Sequence, residues 1–426
     1  MTQTAAHPRS RSSRPCPAAR LRLARRWKKR GHWLAAATAT ILLPALRAIP
    51  AAANADGPRL SALDVVRRLD FPRDLRTGID AARDSLFRVF VDAGLTPIAA
   101  PFVARPWRCE IAAALLCVAA AAVLMPPRYA AWTKFVAAAA LLAALASIGG
   151  GLDRLEPSRT LTSFEAVIEP RARATSELWL GAHYDSKTEC FDHVDRALSL
   201  GLALGAAMAA WIGARRHRHR RGVMHAAGAG ALCLAAAILA SGRFATPRSH
   251  GIVDDAASVA LLVETAEQVR SAPPEHVRLR FIWWSGEEIG AQGSADFAST
   301  HAASALPRWA INLECIGAGP QIAWATHDWA GFGAGRPDAR LLAALQQASS
   351  TPLGAFGAPF VSDAGPLRRA HIPTITLVGL GPGGRMPRGL HRPQDQMARL
   401  DFPSLDTAQA LLERWIAIAD RSGGLD

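Results

Sequence analysis

Leu279-Arg-Phe-Ile-Trp-Trp284 followed by Ser285-Gly-Glu-Glu-Ile-Gly290, LRFIWWSGEEIG over residues 279–290, decides how the rest of the chain is read. Its first six residues are too few for a free-standing helix and rich in aromatic and β-branched side chains, so they predict a buried strand of a parallel sheet. Ser285 and Gly286 then turn the chain. Adjacent glutamates, Glu287 and Glu288, are left at the strand's carboxyl end, the edge where open α/β sheets collect their ligands. Alone, such a pair reads as a solvated acidic turn; its companions elsewhere in the chain change that.

Three further segments share the texture of that strand: Leu178–Ala182, Ala310–Cys315 and Thr374–Leu380. Helical spacing of apolar residues marks Ala256–Ser271 and Asp338–Ser350, and, nearer the amino terminus, Ala62–Leu69 and Gly78–Ala93, where Ile79, Ala82, Leu86, Val89 and Phe90 form one stripe. Short apolar strands alternating with amphipathic helices predict an α/β sandwich with helices on both faces of the sheet.

Each strand end delivers polar residues. His183 and Asp185 follow Ala182 (AHYDS), Glu314 stands in INLEC, and His391 (LHRPQD) follows the last strand through a Gly/Pro loop, while Asp254 and Asp255 (HGIVDDAAS) lie just before a helix. With Glu288, five potential metal ligands fall on one sheet edge: His183, Asp254, Glu288, Glu314 and His391. Two imidazoles and three carboxylates without a thiolate suit zinc, or a similar divalent ion, in a catalytic setting. Two ions fit the set better than one: if Asp254 bridges, one takes His183 and Glu314 and the other Glu288 and His391, with a position left for a shared water. Glu287 is then free to act as general base in attack on an amide carbonyl, and Asp185 is placed to hold the second nitrogen of His183. Taken singly these residues have plainer explanations: a strand-end histidine, a helix N-cap with a first-turn acid, a solvated loop histidine. Their occurrence in order, each at an expected strand end, points to metal-dependent hydrolysis.

The blocks HYD at 183–185, GIVDDAAS at 251–258, WSGEEIGAQGSADF at 284–297, INLECIG at 311–317 and HRPQDQ at 391–396 resemble the five metal-site blocks of the M28 metallopeptidases, the co-catalytic zinc aminopeptidase family. The resemblance covers 175–426 apart from an apolar insert, and 56–104 more weakly. It implies a three-layer sandwich with a mixed central sheet flanked by helices, two zinc ions bridged by Asp254, Glu287 as base, and removal of amino-terminal residues from peptides. Three departures stand out. Glu314 occupies a position where most relatives have aspartate; His183 and Asp254 are 71 positions apart, far beyond the family's usual short loop; and Ser362-Asp363-Ala364 keeps the family's aspartate without the histidine that commonly follows it.

The net charge of +14 suggests a nucleic-acid binder until its distribution is examined. Residues 1–31 hold ten Lys or Arg and no acid, and Arg215–Arg221 (RRHRHRR) adds five Arg; subtracting those fifteen from 49 leaves 34 basic residues against 35 acidic ones. Basic blocks beside apolar segments are membrane-orientation signals, whereas a nucleic-acid surface spreads its cations over a folded face. Arg25–Arg30, Trp33–Leu46 and the small residues ending at Ala55 have the three parts of a secretory signal peptide, and Pro44 with Arg47 disfavours a retained anchor. Two apolar, Ala-rich pairs follow: Ile111–Met125 with Phe135–Ile148, and Ala197–Ala214 with Val223–Ala240. Both connecting loops are short and basic, which favours four inserted transmembrane helices over buried soluble hairpins. The Arg/His loop is then a topology anchor in preference to a metal or nucleotide site.

These signals divide the chain into a leader (1–55), a first part of the peptidase domain (56–104), hairpin one (105–152), a second part (153–192), hairpin two (193–244) and the main part (245–426). Exported at its amino terminus, the chain returns to the outer side after each hairpin. The expectation is an integral protein of the cell (inner) membrane with an extracytoplasmic catalytic domain, acting on peptides and not on nucleic acid. Competing functions are a glutaminyl-cyclase-like transferase on the same fold and a non-catalytic receptor-like domain. Of six cysteines none forms a CxxC, which argues against a thiolate zinc site, and spacing leaves open whether Cys190 and Cys315 pair.

Overall fold

The computed structural model describes residues 60–425 apart from 126–129, 149–150, 153–154, 302, 304, 331–332 and 358–359. The leader and signal-peptide expectation falls outside these residues. Helix α1 (Ala62–Arg68) starts at Ser61, whose Oγ accepts from the Asp64 N–H, and α2 (Ile79–Asp92) buries the stripe of Ile79, Ala82, Leu86, Val89 and Phe90. Strand β1 (Ile98–Ala104) leads into the first apolar pair, α3 (Arg108–Leu124) and α4 (Ala130–Ile148). Strands β2 (Arg159–Ile168) and β3 (Ser176–His183) precede the second pair, α5 (His193–Arg216) and α6 (Arg221–Ala240). The remainder alternates: α7 (Ala257–Ser271), β4 (Val277–Trp284), α8 (Gln292–Thr300), β5 (Arg308–Glu314), β6 (Gln321–Ala325), β7 (Asp328–Ala330), β8 (Gly333–Gly335), α9 (Ala339–Ala348), β9 (Gly354–Phe356), β10 (Phe360–Val361), α10 (Ala364–Arg369), β11 (Thr374–Leu380) and α11 (Phe402–Ser422).

Eight strands form one mixed sheet in the order β1-β2-β4-β3-β5-β11-β6-β9. Its centre, β4-β3-β5-β11, is parallel, and antiparallel pairs close it on both sides. The two-residue repeat of a strand sends alternate side chains to opposite faces. Leu178, Leu180, Phe281 and Trp283 accordingly join a core with α1, α2, α7, α9 and α11. Trp179, Ile282 and Trp284 join a second core with Phe297 of α8 and Leu367 of α10. Both tryptophans at 283–284 are therefore core residues, Trp283 packing on Phe90 with ring centroids 4.4 Å apart. Arg280 interrupts the apolar pattern of β4 and lies between Glu177, at 2.6 Å, and Glu165, so the charge is matched where it is buried.

The expectation of four membrane helices is corrected to two among the described residues. Helices α5 and α6, with 24 and 20 residues, are long and apolar enough to cross a membrane by length and composition. The apolar parts of α3 and α4 are shorter, Glu110–Leu124 and Ala131–Ser147. At about 1.5 Å per residue they reach only ~22–26 Å, against about 30 Å of bilayer hydrocarbon. Helix α3 packs against α6 as well as α4. The second insert folds back on itself, so that Arg196 near its start donates to the carbonyl of Leu239 near its end at 3.1 Å. Cys190 and Cys315 are both free.

Candidate metal centre

Strand register sets the site. His183 is the last residue of β3 and pairs with Trp284, the last of β4, while Gly181 pairs with Asn312 of β5, two residues before Glu314. Three parallel strands thus end side by side. The turn after β4 requires Gly286, whose φ of +80° suits a residue without a Cβ. On the far side, Gly251 at φ +61° opens the segment carrying Asp254 and Asp255, joined by a cis peptide bond. A Cβ at Gly251 would stand 2.5 Å from the Asp254 carbonyl oxygen.

The structure brings all five predicted ligands together. Asp254 lies between the two histidines: its Oδ1 is 3.2 Å from His183 Nε2 and its Oδ2 is 3.1 Å from His391 Nε2. Glu288 Oε2 is also 3.2 Å from His391 Nε2. Two sets of three have ligand atoms within 4.8 Å of one another: Asp254, Glu288 and His391, and His183, Asp255 and Glu314. Asp255, regarded from sequence only as the neighbour of Asp254, is thus a member of the second set. Its Oδ1 accepts from the Cys315 N–H at 3.1 Å and from the Ser258 hydroxyl, while its Oδ2 is buried without a hydrogen bond.

The donors fit a cation. Burial pushes Glu287, Glu314 and Asp255 well above the usual carboxylate range, and neighbouring acids push further against the relief from His183. Burial alone would lower the His183 imidazole, yet Asp254, Glu287 and Glu314 raise it well above its ordinary value. His183 Nε2 and Glu288 Oε1 are buried without hydrogen bonds. A divalent ion would satisfy those orphaned atoms and neutralise the crowded acids. All are oxygen or imidazole nitrogen donors, as zinc accepts.

Asp185 departs from its expected position. His183 Nδ1 is 3.1 Å from the Asp185 carbonyl oxygen but 3.8 Å from its carboxylate. The carboxylate instead accepts from the backbone N–H groups of Gly286 (2.9 Å), Glu287 (3.4 Å) and Glu288 (3.3 Å), and so shapes the turn that carries both glutamates. Burial raises its pKa to about 6.

Three contributors were not legible as such. Arg73, 0% exposed, donates to the carbonyls of Leu69, Tyr184, His250 and Gly251, and so ties the loop after His183 to the loop before Asp254. Glu189 lies behind His391, and Asp363, buried near Glu287 with neither oxygen hydrogen-bonded, is raised to about 7 by burial. Cys315 and His391 hold φ of +53° and +59°, a strain of order 1–3 kcal/mol each that clusters at functional sites. A cavity of about 200 Å3 opens beside Glu288, walled in part by Trp107 and Glu110.

Fold and donor set together are those of an α/β protein able to hold metal at the carboxyl edge of its sheet. A family model described as Peptidase family M28 matches residues 165–416, more than half of the chain, and the chain belongs to that family. Similar solved structures include a zinc aminopeptidase from Bacillus subtilis (15% identity, 62% of this chain and 52% of that one, TM-score 0.41) and an aminopeptidase from Aneurinibacillus sp. strain AM-1 (17%, 61% and 48%, 0.40). A glutaminyl cyclase from Bacteroides thetaiotaomicron bound to N-acetylhistamine is similar at 14% identity over 84% of this chain and 98% of that one, with a TM-score of 0.50. At such identities the likeness is one of fold. The chain spans about half the length of the two aminopeptidases. No curated protein matches the sequence.

Proposed function

We propose that this protein is a membrane-tethered, zinc-dependent aminopeptidase whose metal ligands are His183, Asp254, Glu288, Glu314 and His391. The observation that carries the proposal is the Asp254 carboxylate, with one oxygen 3.2 Å from His183 and the other 3.1 Å from His391. A single group so placed can serve two ions at once, with Asp255 beside Glu314 as a further donor. When bound, zinc supplies Lewis acidity, polarising the scissile carbonyl and making water a better nucleophile. Glu287, raised by burial and not needed as a ligand, takes the proton from the attacking water and returns it to the leaving amine. Asp185 holds the turn so that Glu287 and Glu288 point to different tasks.

The soluble part is discontinuous, formed by 56–104, 153–192 and 245–426, with both apolar hairpins as insertions. Exposed Leu202, Met208 and Val223 make an apolar surface on α5 and α6, which supports contact with lipid. The basic Arg215–Arg221 loop supports a cytoplasmic position for the tip of the second hairpin, and hence an extracytoplasmic site at the inner membrane. An impermeant maleimide should then label the exposed Cys190 in intact spheroplasts.

Amino-acyl anilides and glutaminyl peptides, assayed on the purified chain with and without a chelator, test the chemistry. Chelator-sensitive anilide cleavage restored by zinc is expected. Pyroglutamate formation without anilide cleavage would instead assign the cyclase chemistry named for the Bacteroides relative. Metal-free protein with no activity on either substrate would favour the receptor-like alternative.

A further inference from the structure

Glu189 stands behind His391, on the side away from Asp254. Its side chain is 2% exposed, and its two oxygens have different surroundings. Oε1 is engaged by two cations, Lys187 Nζ at 2.8 Å and the Arg196 guanidinium. Oε2 is buried without a hydrogen bond and faces His391 Nδ1, itself buried and unpaired, at 3.9 Å. The backbones are already joined there, the Glu189 N–H donating to the His391 carbonyl at 2.9 Å. Both inserted hairpins hold this arrangement. Lys187 Nζ also reaches Glu110 of α3 at 3.4 Å, and Arg196 of α5 donates to Leu239 of α6.

We propose that Glu189 is the positioning residue for His391, accepting from Nδ1–H so that Nε2 is the unprotonated nitrogen turned towards Asp254 and Glu288. A small rotation of either side chain brings the two orphaned atoms to hydrogen-bond length. An imidazole that ligates through one nitrogen commonly donates from the other to a carboxylate, which fixes its tautomer and ring plane. Lys187 and Arg196 select which Glu189 oxygen remains for the histidine, so the inserted helices bear on the metal centre through this carboxylate. The inference rests on the metal-centre reading above.

The test is zinc titration of the full chain, purified in detergent and stripped of metal, in competition with a chromophoric chelator. The substitution Glu189→Gln keeps the size of the side chain. Its carbonyl oxygen stays with the two cations, leaving an amide N–H2 against Nδ1–H, two donors face to face. One of the two zinc equivalents should weaken by about 10–100-fold while the other is unchanged; the urea midpoint of the metal-free chain, lowered by the charge lost opposite Lys187 and Arg196, reads the structural cost separately. Should that variant fail to fold, Glu189→Asp keeps the charge for Lys187 and Arg196 but withdraws the carboxylate by a methylene, and the same selective loss is expected. Wild-type affinity at both sites in the folded variants, or equal loss at both, overturns the role given to Glu189. A wild-type chain that takes up fewer than two zinc ions overturns the metal-centre reading and this inference with it.

Discussion

Replacing Arg73 with Met tests whether the two metal-bearing loops depend on a single buried cation. Arg73 donates to four carbonyls, but they are not equally dependent on it. Leu69 also accepts from the Phe71 N–H at 2.8 Å, and Gly251 from the Ala256 N–H at 3.0 Å. Among the described residues Tyr184 and His250 show no other hydrogen bond to their carbonyls, so one buried and one half-buried acceptor are orphaned. At about 1–3 kcal/mol for each unsatisfied group, the variant should lose about 2–6 kcal/mol. Release from burying a guanidinium returns part of that, so the lower half of the range is expected. Urea unfolding followed by tryptophan fluorescence, with zinc content measured on the same preparation, is the assay. Both the urea midpoint and zinc retention should fall, because Tyr184 follows His183 and Gly251 precedes Asp254. A loss under about 1 kcal/mol with full zinc content would refute the view that Arg73 clamps these loops.

Glu287→Gln should keep its metal and lower kcat by about 100–10,000-fold, the usual contribution of a positioned general base; Glu288→Ala should instead lose zinc, and equal metal loss in both would contradict the division of roles. Asp185→Ala frees three buried N–H groups of the Gly286–Glu288 turn, so kcat should fall even where zinc content is retained. Asp363 gives a pH dependence of stability. Its folded pKa is lifted from 3.8 to about 7, so between those values the folded chain holds a proton that the unfolded chain has lost, and the stability this group contributes falls as pH rises through the window. Asp363→Asn should therefore raise the Tm of the metal-free protein most at pH 8 and clearly less at pH 5, nearer the foot of the window. A rise of equal size at both values would exclude titration of Asp363 as the cause.

The strand at 277–284 was legible because a run of aromatic and aliphatic residues ending in Ser-Gly has few other ways to be buried, and its neighbours β3, β5 and β11 carry the same mark. Strands β1 and β2 were not: Ile98–Ala104 is largely exposed at a sheet edge, so burial imposes no strong pattern on it. Helices α1 and α2 were visible through their stripes. The length of α5, by contrast, depends on polar residues at both ends, which hydropathy does not count as part of the helix. The sequence also misjudged α3 and α4, since an alanine-rich run has the composition of a membrane span without its reach.

By itself the sequence determined which residue types end the parallel strands, and with them the five ligand candidates, because side-chain chemistry and strand length are local properties. Only the tertiary structure decided that Asp254 lies between His183 and His391, that Asp185 caps a turn more than it orients an imidazole, and that Asp255, Arg73 and Glu189 belong to the site. Those facts depend on contacts between segments far apart in the chain. Whether a buried charge finds its partner is set by where the backbone brings both, not by the identity of either.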